Sequence, residues 1–168
     1  MCIRDSLLSW VHCAGTSMFL KGYQRFGAHD LTSRDADRYV AEQSGVALAL
    51  GVLDPPRSVA QLHDALEAFR PELRLSADGV VARDFVDRGV VTGPHRRLAH
   101  RLLVDSAYAL LDEWALELLG VSPRPLRDRL VVRPATSLLA SAVRQAMPPT
   151  QPVSWRSSSR RRPRRPGR

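Results

Sequence analysis

From Leu7 to Met147 apolar residues recur at three- and four-residue spacing, and no period-2 alternation sets in anywhere along that span. Helix is the regular element whose side-chain geometry matches such a recurrence. Glycine and proline clusters cut the pattern into segments, at Gly27, at Gly51 with Asp54-Pro55-Pro56, at Gly93-Pro94, and at Gly120 with Pro123 and Pro125. The expected fold is all-α, a helical bundle of about five to six helices. A disordered basic C-terminal tail should follow it.

The first helix is expected from Leu7 to about Phe26, with Leu7, Leu8, Val11, Ala14, Met18 and Phe19 on its apolar face. Thr32 or Ser33 should cap the second, Asp35 should complement its dipole, and Ala36, Tyr39, Val40, Val46, Ala47 and Leu50 should face inward. Ser58-Val59-Ala60-Gln61 reads as a capping box that opens a third helix through Leu62, Leu66 and Phe69. Residues Ser76 to Arg88 predict a short helix; Gly79 and the valines leave a strand as the alternative. The longest helix is expected from His95 to Leu119. A last one should cover Leu126 to Met147, kinked or restarted at Pro134.

From Pro148 the composition shifts to proline, serine and arginine, with too few apolar groups to offset ordering entropy. Seven arginines of the tail carry most of the net charge of +8, leaving the body before it at about +1. Basicity is therefore a property of an appendage, and it argues against a nucleic-acid-binding body. Cys2 and Cys13 are the two cysteines, too few for a disulfide framework or a four-cysteine zinc site, so a reducing, cytoplasmic setting is expected. No signal peptide or membrane-spanning run is read. Residues 1–6, Met1-Cys2-Ile3-Arg4-Asp5-Ser6, resemble the translation of a transposase adapter used in preparing sequencing libraries. They are expected to be such a scar, with a short natural arm as the alternative. A scar would make residues 7–147 a helical domain truncated at its N-terminus, and residues 148–168 its tail.

Common catalytic signatures do not occur: no Gly-x-Ser-x-Gly elbow, phosphate-binding loop, dinucleotide fingerprint or His-Glu-x-x-His pair. His95 and His100, five apart on one helix, point in different directions, which is poor for sharing a metal. His12 is the informative histidine. It lies in the first helix in line with Leu8, Thr16 and Phe19, and small residues Gly15, Thr16 and Ser17 beside it allow a helix or a flat cofactor to approach. His12 and Thr16 are therefore the candidate cofactor-binding residues. The plain alternatives are a hydrogen-bonded core histidine and a threonine bonded back to the backbone. Asp35, Asp37, Arg38 and Glu42 read as a solvated face, with Arg38 and Glu42 able to pair. Asp112, Glu113 and Glu117 beside Trp114 read the same way. No catalytic residue and no metal ligand is assigned.

Several short motifs, in order, resemble the MpaB-type oxygenase and rubber-oxygenase (latex-clearing-protein-like) catalytic domain family. They are Leu7-Leu8-Ser9-Trp10-Val11-His12, then Tyr23-Gln24-Arg25-Phe26-Gly27, then Leu31-Thr32 with Asp37-Arg38-Tyr39-Val40-Ala41-Glu42-Gln43, then Leu50-Gly51-Val52. The likeness spans about Leu7 to Met147 and is sharpest up to Leu66. It implies a bacterial helical domain that holds haem b, activates dioxygen and acts on an apolar, isoprenoid-type substrate. It also implies that the axial histidine lies upstream of the Trp-Val-His segment. His12 then becomes a pocket residue or a support for one, and the chain alone a fragment that binds haem poorly and is inactive.

Two other readings stand beside it. One is a non-enzymatic helical binding protein whose arginine tail contacts nucleic acid or anionic lipid, although Trp155 is the tail's sole aromatic. The other is a helical protein that kept an oxygenase scaffold and lost its chemistry. The tail also has a bland explanation, an arginine-rich end from a GC-rich genome, in keeping with Lys21 as the single lysine.

Overall fold

The computed structural model describes residues 3–146 apart from residue 124. The expected tail at 148–168, the end of the last helix at Met147, and Met1-Cys2 lie outside the described residues. The described residues form helices and turns, with no strand among them, so Ala77–Arg88 is helix and its strand alternative falls.

In chain order the elements are α1 (Ile3–Phe26), α2 (Ser33–Leu50), α3 (Val59–Phe69) with a 3-10 turn at Arg70–Glu72, and α4 (Ala77–Arg88). Then follow α5 (Pro94–Tyr108), α6 (Glu113–Leu119), the single turn α7 (Pro125–Arg127), a π-helical segment Asp128–Val132, and α8 (Arg133–Ala146).

The caps were legible. Thr32 accepts the Asp35 N–H while the Asp35 carboxylate accepts the Thr32 N–H, a complete capping box at the start of α2. Gly51, at φ 96°, ends that helix with its own N–H and that of Val52 turned back to Ala47 and Leu48, a Schellman closure that a Cβ would strain. At α3 the box is shifted by one residue. Ser58 accepts the Gln61 N–H, but Gln61 Oε1 takes the Arg57 N–H.

The long helix expected from His95 to Leu119 is two helices, and α1 is the longest at 24 residues. After Tyr108 the ladder tightens, with the Leu110 and Leu111 N–H groups bonded to Ala107 and Tyr108. Asp112 is then extended at φ −70°, ψ 155°. Two side chains of α1 hold the break open. Lys21 Nζ donates to both carboxylate oxygens of Asp112 at 2.8 and 2.7 Å, and Arg25 Nη1 donates to the Ala109 carbonyl at 3.2 Å. Tertiary bonds here override a local pattern that would have carried the helix through.

The expectation at Pro134 holds, in a specific form. A proline lacks the N–H and crowds the carbonyl four residues back. The chain accommodates it by widening the preceding turn, with the Arg133 N–H bonded to Asp128 O.

Packing makes two clusters joined by α1. Cys13, Leu20, Ala36, Val40 and Leu62 form the first, between α1, α2 and α3, with Leu31, Tyr39 and Leu66 against it. Trp10 meets Phe69 edge-on at 5.8 Å between ring centroids. Each leucine-sized side chain buried here stabilises the fold by about 1.5–3 kcal/mol. In the second cluster Leu116 and Val132 are buried, and the Ser106 and Thr136 hydroxyls meet at 2.5 Å between α5 and α8. Arg144 ties α8 to the end of α1 through the Phe26 carbonyl at 3.1 Å.

The inner face of α1 differs from the one read in the sequence. Leu7, Val11 and Phe19 are exposed, while Cys13, Thr16, Ser17 and Leu20 are buried. Apolar residues lie on every side of α1, so spacing alone could not choose a face. The side that meets α2 and α3 is the one that carries Cys13 and Leu20. On α2 Val46 and Leu50 are likewise exposed, and Ser44 takes an inner position.

Candidate functional site

Arg101, Val104, Asp105 and Tyr108 sit at i, i+3, i+4 and i+7 of α5 and therefore share one face. That face, the π-helical segment, α6 and the Gly120–Pro123 loop line a half-open cavity of about 570 Å³. A volume of this size suits a small organic ligand. Its apolar wall includes Val104, Leu111, Leu116, Val121 and Val132. Widened helical turns occur often at functional sites, and this one contributes both Asp128 and Val132 to the lining.

The cavity's polar groups are mostly committed. Arg127 makes a fork onto Asp105 at 3.1 and 2.6 Å. Tyr108 Oη donates to Asp87 Oδ1 at 2.6 Å. Burial, and then the bond to Asp87 and that residue's negative charge, push the Tyr108 phenol up to about 12. Tyr108 is thus a protonated hydrogen-bond donor across the physiological range. Asp128 pairs with Arg25 from α1.

A second hollow of about 460 Å³ lies beyond that pair, bounded by Lys21, Gln24, Arg25 and Arg133. Ala109 and Leu111 line both hollows, so the break between α5 and α6 and the Arg25–Asp128 pair form the partition. Arg25 Nε and Asp128 Oδ1 are sealed from solvent without a hydrogen-bond partner. A small rotation bringing those two atoms together would make the pair bidentate and satisfy both.

The residues singled out in the sequence lie elsewhere. His12 is half-buried on α1 and Thr16 is buried beside it, and neither lines either hollow. His12 Nε2 is sealed and unpartnered, and burial lowers the imidazole's pKa, so the ring is neutral at pH 7. Gly15, one turn from Val11, has open space where its Cβ would be. The charged face of α2 is solvated, with Arg38 Nε on Glu42 at 2.8 Å. It also carries a long-range tie that spacing could not show: Asp37 accepts the Val59 N–H at 2.8 Å, placing a negative charge at the N-terminus of α3.

Whether these residues fit a haem can be asked of the donors. Neither hollow is lined by histidine, cysteine or methionine. Tyr108, the one phenol at the cavity, is tied to Asp87 as a protonated donor. No three His, Cys, Asp or Glu side chains gather around a metal position among the described residues. His12 offers a neutral nitrogen, but one closed off from both hollows. The described residues present no His, Cys or Met axial ligand to either hollow, so these two hollows do not fit a haem.

Residues 3–145 match the family model described as ER-bound oxygenase mpaB/B′/rubber oxygenase, catalytic domain. The chain belongs to this family. No curated protein and no solved structure gives a significant match. The mpaB/rubber-oxygenase match runs across both packing clusters, so the cavity under the π-helical turn is part of the matched catalytic domain. No helix among the described residues is long and apolar enough to cross a membrane. The cavity residues Arg101, Asp105, Tyr108 and Asp128 were not singled out in the sequence. For Arg101, Asp105 and Tyr108 the signal is a polar stripe at helical spacing inside an otherwise ordinary helix, which gains meaning once the helix is known to stop at Tyr108. Asp128, on the π-helical segment, has no such local signal.

Proposed function

We propose that this chain supplies the substrate-seating part of a haem b-dependent oxygenase that acts on an apolar, isoprenoid-type substrate with dioxygen. In this reading the cavity between α5, α6 and the π-helical segment seats the substrate, and the iron's axial ligand comes from outside the described residues. The chain alone is then inactive. The observation that carries the reading is a cavity of mixed lining, with Val104, Leu111, Leu116, Val121 and Val132 on its apolar side, in a chain whose residues 3–145 match an oxygenase catalytic domain. Support also comes from α1, where Leu7, Val11, Phe19 and Tyr23 form an exposed ridge of the kind another helix would cover. His12 and Thr16, next to that ridge, are proposed to back the cofactor pocket rather than to ligate iron. Haem b, when bound, supplies dioxygen activation; the described residues contribute the apolar side of the substrate's seat.

The test is haem reconstitution of residues 1–168, followed by an absorbance spectrum and an oxygen-uptake assay with an isoprenoid oligomer. Little Soret absorbance and no uptake are expected. Stoichiometric haem, bound through a histidine of this chain, would overturn the assignment of the axial ligand elsewhere.

A further inference from the structure

Five charged side chains line the larger cavity: Asp87, Arg101, Asp105, Arg127 and Asp128. Four of them are already engaged. Asp87 accepts the Tyr108 hydroxyl, Asp105 and Arg127 bind each other, and Asp128 pairs with Arg25. Arg101 has no hydrogen-bond or ion-pair partner among the described residues. Helical spacing puts Arg101 on the same face of α5 as Val104 and Tyr108, and it lines the cavity from an exposed position. The cavity thus offers one uncommitted positive charge next to an apolar surface made by Val104, Leu116 and Val132.

We infer that this cavity takes an amphiphile with an apolar body and a single carboxylate, and that Arg101 holds the carboxylate. A planar guanidinium matches a carboxylate in a two-bond fork. Arg101 is the one uncommitted positive charge on the lining among the described residues, so it balances one negative charge on the ligand and leaves a second unbalanced. A monoanion therefore fits better than a phosphate ester. Ser122, on the loop that closes the cavity, supplies a further hydroxyl at the rim. The inference rests on the reading of this cavity as the substrate's seat, and it adds the polar end that fixes the ligand's direction.

Octanoate and 1-octanol share a chain and differ in the charged end, which makes them suitable probes below the concentrations at which either self-associates. Isothermal titration of residues 1–168 should show octanoate binding at least ten-fold more tightly than octanol. Amide shifts on titration should centre on Val104, Leu116 and Val132. Arg101→Gln should bring octanoate down to the level of octanol, and Arg101→Lys should keep part of the difference. Arg101 is exposed, so neither substitution should change the helical circular dichroism. Equal binding of the two probes, unaffected by Arg101→Gln, would overturn the charge assignment and leave the cavity as an apolar seat. Absence of shifts at these residues with either probe would overturn both.

Discussion

Arg25 and Asp128 are 103 residues apart in the chain and form an ion pair that joins the last turn of α1 to the π-helical segment. About a quarter of each side chain is exposed, 29 % and 25 %, so the pair is neither freely solvated nor fully buried. Removing one partner leaves the other charge half-desolvated, beside an Arg25 Nε or Asp128 Oδ1 that already lacks a bond. Arg25→Ala should lower stability by about 2 kcal/mol, between the values for exposed and buried pairs. Urea unfolding of Arg25→Ala, Asp128→Ala and the double variant would give a coupling energy of about 1 kcal/mol or more. Additive single effects would show that the two side chains do not share an interaction in solution.

Tyr108 makes the cavity's pH dependence readable. Its phenol is raised from the ordinary value of 10 to about 12, by burial first and by Asp87 second. The folded state therefore keeps the proton where the unfolded chain has lost it. This contribution to stability is complete below pH 10 and disappears as the pH rises toward 12. Absorbance titration at the phenolate band should show late ionisation, and Tyr108→Phe should remove the latest step. Burial also raises Tyr39, so the Phe variant is needed for the assignment. Asp87→Asn should bring the late ionisation earlier without abolishing the fold.

The imidazole of His100 occupies the space that a Cβ on Gly89 would take. His100 Nε2 lies 2.8 Å from the Val86 carbonyl at the end of α4, and Gly89 follows with φ +62°. A Cβ at Gly89 would come within 2.5 Å of the imidazole, in a backbone conformation that side chains disfavour. Gly89→Ala should cost about 2 kcal/mol or more in thermal or urea unfolding. In a His100→Ala background the same change should cost clearly less, because the clash is gone and only the backbone strain remains.

What the sequence could and could not show follows from the range of each interaction. The ends of α2, Thr32 with Asp35 and Gly51, depend on neighbours within four residues, and they were legible. So was the interruption at Pro134, because a proline disturbs its own turn. The break at Ala109–Asp112 was not legible, since it is held by Lys21 and Arg25 from α1, more than 80 residues earlier. The inner face of α1 was hidden for a different reason: apolar residues surround that helix, and only the approach of α2 and α3 selects Cys13 and Leu20 over Val11 and Phe19. The cavity was hidden by both effects together. Its face of α5 is short and mixed, and its ion pairs run between elements.

Pro134 offers a way to ask whether the widened turn shapes the cavity. The proline leaves no N–H to bond the Leu130 carbonyl, and its ring crowds that carbonyl, so the chain before it adopts the i to i+5 pattern with Arg133 bonded to Asp128. Pro134→Ala restores the N–H and removes the clash, which allows the segment to relax to ordinary α-helix. The variant should be as stable as the parent or more so, because a helix-interior proline is replaced by the best helix former. Relaxation would rotate Asp128 and Val132 relative to α5 and α6, and with them one side of the cavity wall. Octanoate binding should therefore fall several-fold while thermal stability holds or rises. Backbone amide shifts of residues 128–133 would report the change of hydrogen-bond pattern directly. Unchanged shifts in that segment would mean that side-chain packing around Val132, and not Pro134, sets the wide turn.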